Sequence, residues 1–317
     1  MERILGLHHM TFMAGHPQVN HDFYTHELGL RLVKTTINFD APDVYHLYFG
    51  DEAGNPGSIL TSFPFPNMRR GQRGQGQMTF TALGIPKGSY SFWRDRLEER
   101  NLSFDEIETA FGQKVLRFED PDGLGLMLVE SESGAGKGWG GGSVPAQHAI
   151  QGMDAAILEV ARPEATARLL TEVMDYEELD AKGPHLRLKP RARHYGYIEL
   201  QRHHHVPAGR LGAGIVHHLA FATPSDELQL ELRAQLLEYG MFPTEVKDRQ
   251  YFHSVYFREP NGVLFEIATV PPGFAVDEAP DALGQELRLP PWEENRRNLI
   301  EQALPVIDRN PDKSATA

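Results

Sequence analysis

Apolar and polar positions along the chain repeat one order four times: an apolar strand, an amphipathic helix, then three more strands, with a period of roughly sixty residues. The first unit runs from LGLHHMTFMA through the helical VNHDFYTHELG to strands at RLVKTTINF, VYHLYFG and GSILTSF. The second opens on GQMTFTALGIP, continues through SYSFWRDRLEERN and closes on KVLRFEDPDGLGLMLVE. The third opens on IQGMDAAILEV, has its helix at PEATARLLTEVMDY and closes with HLRLKP and YGYIELQR. The fourth opens on GIVHHLAFATP, places Leu228, Leu232 and Leu236 on one helix face, and closes on HSVYFREPNGVLFEIAT. Units two and four share a hairpin turn, EDPDG against REPNG, in which an acidic residue, Pro, Asp or Asn, and Gly separate two strands.

The Gly-rich SGAGKGWGGGS between units two and three has the composition of a linker. The expected division is residues 1–134 for a first pair of βαβββ modules (4–63 and 76–130) and a linker over 135–147. A second pair follows over 148–275 (148–202 and 212–270), then a tail over 276–317. Within the tail, PPWEENRRNLIEQALP reads as a short capped helix.

Composition narrows the chemistry. A chain of 317 residues can bury a core without a staple. With no cysteine, disulfides, thiolate zinc, iron–sulfur clusters and a cysteine nucleophile are all excluded, and a reducing cytoplasm is the expected setting. No leader is expected ahead of LGLHHM, and no apolar run approaches the roughly 18 residues of a membrane span. A net charge of -13 argues against nucleic acid or an anionic membrane as partner. A small molecule is expected instead, with a homo-oligomer left open.

Four such modules, with histidines in first strands and a Glu in a last strand, resemble the vicinal-oxygen-chelate superfamily of glyoxalases, bleomycin-resistance proteins and extradiol dioxygenases. The phrases HLYFGDEAGNPGSILTSFPFP, DRQYFHSVYFREPNGVLFEIAT and LPPWEENRRNLIEQALP narrow the resemblance to ring-cleaving dioxygenases that act on hydroquinones. The resemblance implies an α+β fold of four modules paired into two half-barrel domains. It also implies a nonheme Fe(II) enzyme, with Mn(II) as second choice of metal, that opens a hydroquinone-type or catechol-type diol with O2. The rival readings are a glyoxalase-like isomerase and a metal-free, drug-sequestering binding protein.

Aligning the modules shows which can supply ligands. The doublets His8-His9 and His217-His218 stand in modules one and four, where module two has Met78-Thr79-Phe80 and module three Asp154-Ala155. Counting from the last turn, Glu266 is matched by Met127 in module two and roughly by Thr61 in module one, so a single carboxylate is expected. Two imidazoles and a carboxylate meet if modules one and four pack together and leave two and three as a metal-free counterpart.

Strand alternation assigns His9 and His218 to the small-residue faces able to line a cavity, which makes His9, His218 and Glu266 the expected ligands. By the same resemblance, Tyr256 hydrogen-bonds the substrate and Arg249 supplies a cavity cation. Thr11, His8 and His217 match polar residues near the metal, although for the two histidines this requires a bulge or a rim position. The triplet within RHHHV reads as a solvated loop, and His16, His21, His26 and His46 as surface residues. GAGKGWGGG lacks the Walker ending and is not read as a phosphate loop.

Overall fold

The computed structural model of the chain describes residues 2–309 apart from 132, 133, 135, 194 and 204. Module one comprises β1 (Leu7–Ala14), α1 (Pro17–Asp22) continued by a π-helical turn, β2 (Arg31–Asn38), β3 (Ala41–Gly50) and β4 (Ile59–Pro64). Module two comprises β5 (Gln77–Pro86), α2 (Tyr90–Glu99), β6 (Phe104–Glu108), β7 (Lys114–Glu119) and β8 (Gly125–Ser131). Module three follows with β9 (Gly152–Glu159), α3 (Pro163–Glu172), β10 (Tyr176–Lys182), β11 (His185–Pro190) and β12 (Tyr197–Gln201). Module four has β13 (Ile215–Thr223), α4 (Asp226–Glu238), β14 (Lys247–Asp248), β15 (Phe252–Arg258) and β16 (Leu264–Pro272). The Ser225 hydroxyl accepts from the Leu228 N–H to start α4, whose Leu232 and Leu236 are buried.

The strands form two eight-stranded sheets, ordered β14-β15-β16-β13-β1-β4-β3-β2 and β10-β11-β12-β9-β5-β8-β7-β6. Modules four and one share the first sheet and modules three and two the second. Each sheet therefore takes one module from either side of the Gly-rich segment, and curls into a half-barrel. The main core joins side chains of both sheets and their helices, among them Phe12, Leu219, Leu83, Leu158, Trp93 and Leu170.

At the centre of the first sheet β1 and β13 run antiparallel, and their register slips twice. It passes from Leu7↔Phe221 to His9↔Ala220, leaving out His8, and from Thr11↔His218 to Phe12↔Val216, leaving out His217. β5 and β9 slip in the same places, at Thr79 and Asp154. These are bulges related by the approximate twofold that relates the paired modules. The shared turns also match in their hydrogen bonds. Asp120 accepts from the Asp122 and Leu124 N–H groups, Glu259 accepts from those of Asn261 and Val263, and Gly123 and Gly262 take φ values of 93° and 92° that glycine permits.

Beyond β16 the tail follows the outer edge of β2. Leu287 bridges Thr35, the Arg288 N–H donates to the Thr35 carbonyl at 2.9 Å, and Leu289, Ile300 and Leu304 pack on Ile37. The terminal helix α5 (Arg297–Ala303) is present, but no side chain caps it; the residue at its start is Arg296, which has no acceptor for the free N–H groups. Among the described residues no helix is long and apolar enough to cross a membrane.

Candidate active site

His9 and His218 come from the two central strands, and Glu266 from β16, which pairs in parallel with β13. Their donor atoms converge: the two Nε2 atoms are 3.2 Å apart, and Glu266 Oε2 lies 3.3 Å from His9 Nε2 and 2.9 Å from His218 Nε2. All three side chains are buried, and Glu266 Oε2 has no hydrogen bond of acceptable geometry despite these neighbours. Burial alone would raise the Glu266 carboxyl, but the two imidazoles facing it outweigh that and hold it well below its ordinary value. Two imidazole nitrogens and one carboxylate around a shared point, with a buried oxygen left without a hydrogen-bond donor, suit a divalent metal. The described residues contain one such cluster.

The first histidine of each doublet supports the second through its Nδ1. His8 Nδ1 is 2.9 Å from His9 Nδ1, and His217 Nδ1 is 2.7 Å from His218 Nδ1. The bulges allow this, because strict alternation would turn neighbouring rings to opposite faces. Burial, reinforced by the neighbouring ring, pushes His8 down to about 3 and His217 down to about 4. Each is therefore neutral and able to accept a hydrogen bond at Nδ1 from the following histidine, which leaves the Nε2 lone pairs of His9 and His218 for an ion. The Ser254 hydroxyl donates to Glu266 Oε1 at 2.5 Å.

The ligand set opens on a cavity of about 380 Å³, walled largely by aromatic and aliphatic side chains, including Phe39, Phe63, Phe252 and Leu264. Tyr256 sits opposite Glu266 in the β15–β16 pairing, edge-on to the His218 ring at 5.6 Å. Arg249 Nε donates to the Tyr256 oxygen at 3.3 Å, while its Nη2 reaches Asp40 Oδ2 at 3.3 Å. Burial pushes the Tyr256 phenol up. His217 lines the cavity; His8 and Thr11 are buried behind the ligands, Thr11 with its hydroxyl 2.8 Å from that of Thr61.

Several histidines are not where surface placement would put them. His46 lines the cavity, its Nε2 2.8 Å from Thr61 Oγ1 and its Nδ1 2.9 Å from the Tyr48 hydroxyl. Residue 46 alternates in β3 toward the concave face, a placement that no doublet marks. His21 is also buried, bonded to Asp22 at 2.9 Å. Of the triplet, His203 and His205 are exposed, with His203 paired to Glu159 at 2.7 Å, and His204 lies outside the described residues. The doublets do not mark Tyr48, Ser254 or Phe252, although HLYF in module one and SVYF in module four align Tyr48 with Tyr256.

The expectation of a single carboxylate needs correction. Glu266 stands opposite Ala220, and by the same register Thr61 stands opposite Thr11, Met127 opposite Ala82 and Glu199 opposite Ile157. Module three thus has a carboxylate at the matching place. Its companions are Phe80 and Ala155 where the ligand histidines would be, and Arg187 Nε bonds Glu199 at 2.9 Å between the rings of Phe111 and Tyr197. The second half-barrel is filled by its own cation.

A family model described as the Glyoxalase/Bleomycin resistance protein/Dioxygenase superfamily matches residues 6–128. A Bacillus subtilis protein named as the ring-cleaving dioxygenase MhqO is 44% identical over 305 residues, which cover 96% of each chain. The chain belongs to the ring-cleaving dioxygenases of this superfamily. A second member, the chlorohydroquinone/hydroquinone 1,2-dioxygenase of Sphingobium indicum, is 35% identical over 92% of each chain. The crystal structure of a dioxygenase from Bacillus subtilis shares the fold with a TM-score of 0.94 at 43% identity, covering 98% of this chain and 99% of that one. Ring-cleaving dioxygenases take an aromatic substrate and O2, and membership implies a metal, which His9, His218 and Glu266 could bind.

Proposed function

We propose that this ring-cleaving dioxygenase uses Fe(II), held by His9, His218 and Glu266, to open hydroquinone-type diols, with Mn(II) and catechol-type diols as the second choices. The observation that carries the reading is the three-donor face with Thr61 at the fourth position, opening on an apolar cavity. Two histidines and one carboxylate favour Fe(II). A glyoxalase-like isomerase calls for a fourth protein ligand, whereas the Thr61 hydroxyl is engaged by Thr11 and His46. The name of the Sphingobium relative supports a hydroquinone.

When bound, the ion supplies a Lewis-acidic, redox-active centre with positions for a diol oxygen and O2. The chain's own residues orient the diol and manage its protons. Arg249 donates to the Tyr256 oxygen, so the phenol hydrogen is free to bond a substrate oxygen, and the raised Tyr256 phenol keeps that hydrogen at neutral pH. The guanidinium also offsets negative charge that develops on the diol as its hydroxyl ionises. His217, accepting at Nδ1 from His218, presents its other nitrogen as a donor. The aromatic wall excludes water from the ring.

Anaerobically prepared Fe(II) protein given a hydroquinone should consume about one O2 per ring opened, the dioxygenase stoichiometry. A change in absorbance without oxygen uptake would sink the reading. His9→Ala should lose most of its iron while keeping the fold, since a core of this size does not depend on the ion.

A further inference from the structure

Thr61 holds in module one the place that Glu266 holds in module four, so the fourth side of the ligand set is a gap. The residues around this gap mirror those on the Glu266 side. Tyr48 pairs with Thr61 across β3 and β4 as Tyr256 pairs with Glu266 across β15 and β16. Two residues earlier stand His46 and Ser254, and each bonds the residue its tyrosine pairs with: His46 with Thr61 at 2.8 Å, Ser254 with Glu266 at 2.5 Å. The approximate twofold thus sets two phenols in the cavity wall, one on each side of the axis.

The direction of hydrogen bonding decides what Tyr48 offers. Thr11, Thr61, His46 and Tyr48 form one chain with steps of 2.8, 2.8 and 2.9 Å. If Tyr48 donated to His46, donation would run inward, and the fully buried Thr11 hydroxyl, whose one hydrogen-bond partner among the described residues is Thr61, would have no acceptor for its hydrogen. In the opposite sense Thr11 donates to Thr61, Thr61 to His46 Nε2, and His46 Nδ1–H to the Tyr48 oxygen. The Thr11 and Thr61 hydroxyls are then both satisfied, and the hydrogen left over is that of the Tyr48 phenol, whose side chain lines the cavity where a ligand can accept it. The His46 ring, 4.0 Å from that of Tyr48 and 4.4 Å from that of Phe63, is clamped in place.

We propose that Tyr48, positioned by His46, is a second substrate-binding phenol, which donates to the ring hydroxyl of a 1,4-diol remote from the one that Tyr256 serves. The proposal rests on the diol reading above. A hydroquinone is itself twofold, with oxygens at opposite ends, and matches two phenols related by a twofold. A 1,2-diol carries both oxygens on one edge and leaves Tyr48 unpartnered.

Calorimetric binding of hydroquinone and of phenol to Fe(II)-loaded protein without oxygen tests this, with iron content and melting temperature measured alongside. Wild type should prefer hydroquinone by roughly fivefold to tenfold, the scale of one hydrogen bond. Tyr48→Phe should abolish that ratio by weakening hydroquinone alone, and His46→Leu should reduce it. A Tyr48→Phe protein that keeps the ratio, or weakens both ligands equally, overturns the assignment. If Tyr48→Phe does not fold, an undiminished ratio in His46→Leu overturns it instead. Wild type that binds no hydroquinone removes the diol reading and this assignment together, whereas loss of the ratio confined to Tyr256→Phe removes only the assignment.

Discussion

Each ligand imidazole is oriented by the histidine that precedes it in the chain, so the doublets supply a ligand and its support in adjacent residues. His8→Phe keeps a ring beside Phe252 but removes the acceptor for His9 Nδ1. Metal affinity should fall about 10-fold to 100-fold, the usual cost of losing such a partner, with little change in melting temperature. A competition titration with Mn(II) measures it, and unchanged affinity would make His8 a packing residue. At the corresponding bulge of the second half-barrel, Asp154 is buried with Oδ2 unbonded, and burial pushes its carboxyl up to about 6. A carboxyl raised on folding contributes its full share to stability below its ordinary value near 3.8 and loses that share as pH rises through 6. Asp154→Asn should therefore be more stable than wild type at pH 8 by at most about 3 kcal/mol, with the difference gone by pH 4. Denaturant melts across that range test the sign.

Among the elements, the bulges in β1 and β13 matter most, because they turn two neighbouring rings toward one site without breaking the central pairing. The outer strand β2 depends on the tail instead. Lys34 is fully buried in β2, and its ammonium meets Asp277 at 2.6 Å and the buried Glu278. Tyr251, whose ring lies 4.9 Å from that ammonium, donates its hydroxyl to Asp277. The tail is thus fastened by a desolvated ion cluster as well as by Leu289 and Ile300. Removing one partner of such a cluster strands the other, so Lys34→Met should cost on the order of 3 kcal/mol. Limited proteolysis should then cut between residues 276 and 296 sooner than in wild type. Equal cleavage rates would show that the apolar contacts hold the tail unaided.

At the scale of the whole molecule, the two half-barrels share a fold and differ in what fills them. The first leaves its concave face open above three ligands, and the second closes the matching place with Arg187 and Glu199. Arg187→Leu should lower stability by leaving Glu199 buried and unpaired, yet leave metal content and the cavity of the first half-barrel as they are. Loss of metal in this variant would mean that the two halves are coupled.

The amino-acid order by itself determined the α+β class, the four modules, the shared turns and the resemblance to ring-cleaving dioxygenases. These are local properties: periodicity, turn chemistry and repeated phrases are written in consecutive residues. It also brought out His9, His218 and Glu266 as the set worth testing, because two doublets and a Glu repeat at matched places. Tertiary structure decided the rest. The slip of β1 against β13 brought His8 and His217 against the ligand rings, since register belongs to a pair of strands and not to either sequence. Only the pairing of β9 with β12 revealed Glu199 as the counterpart of Glu266, and only burial distinguished His46 and His21 from surface histidines. Those facts depend on residues far apart in the chain, and composition and spacing do not encode which of them will meet.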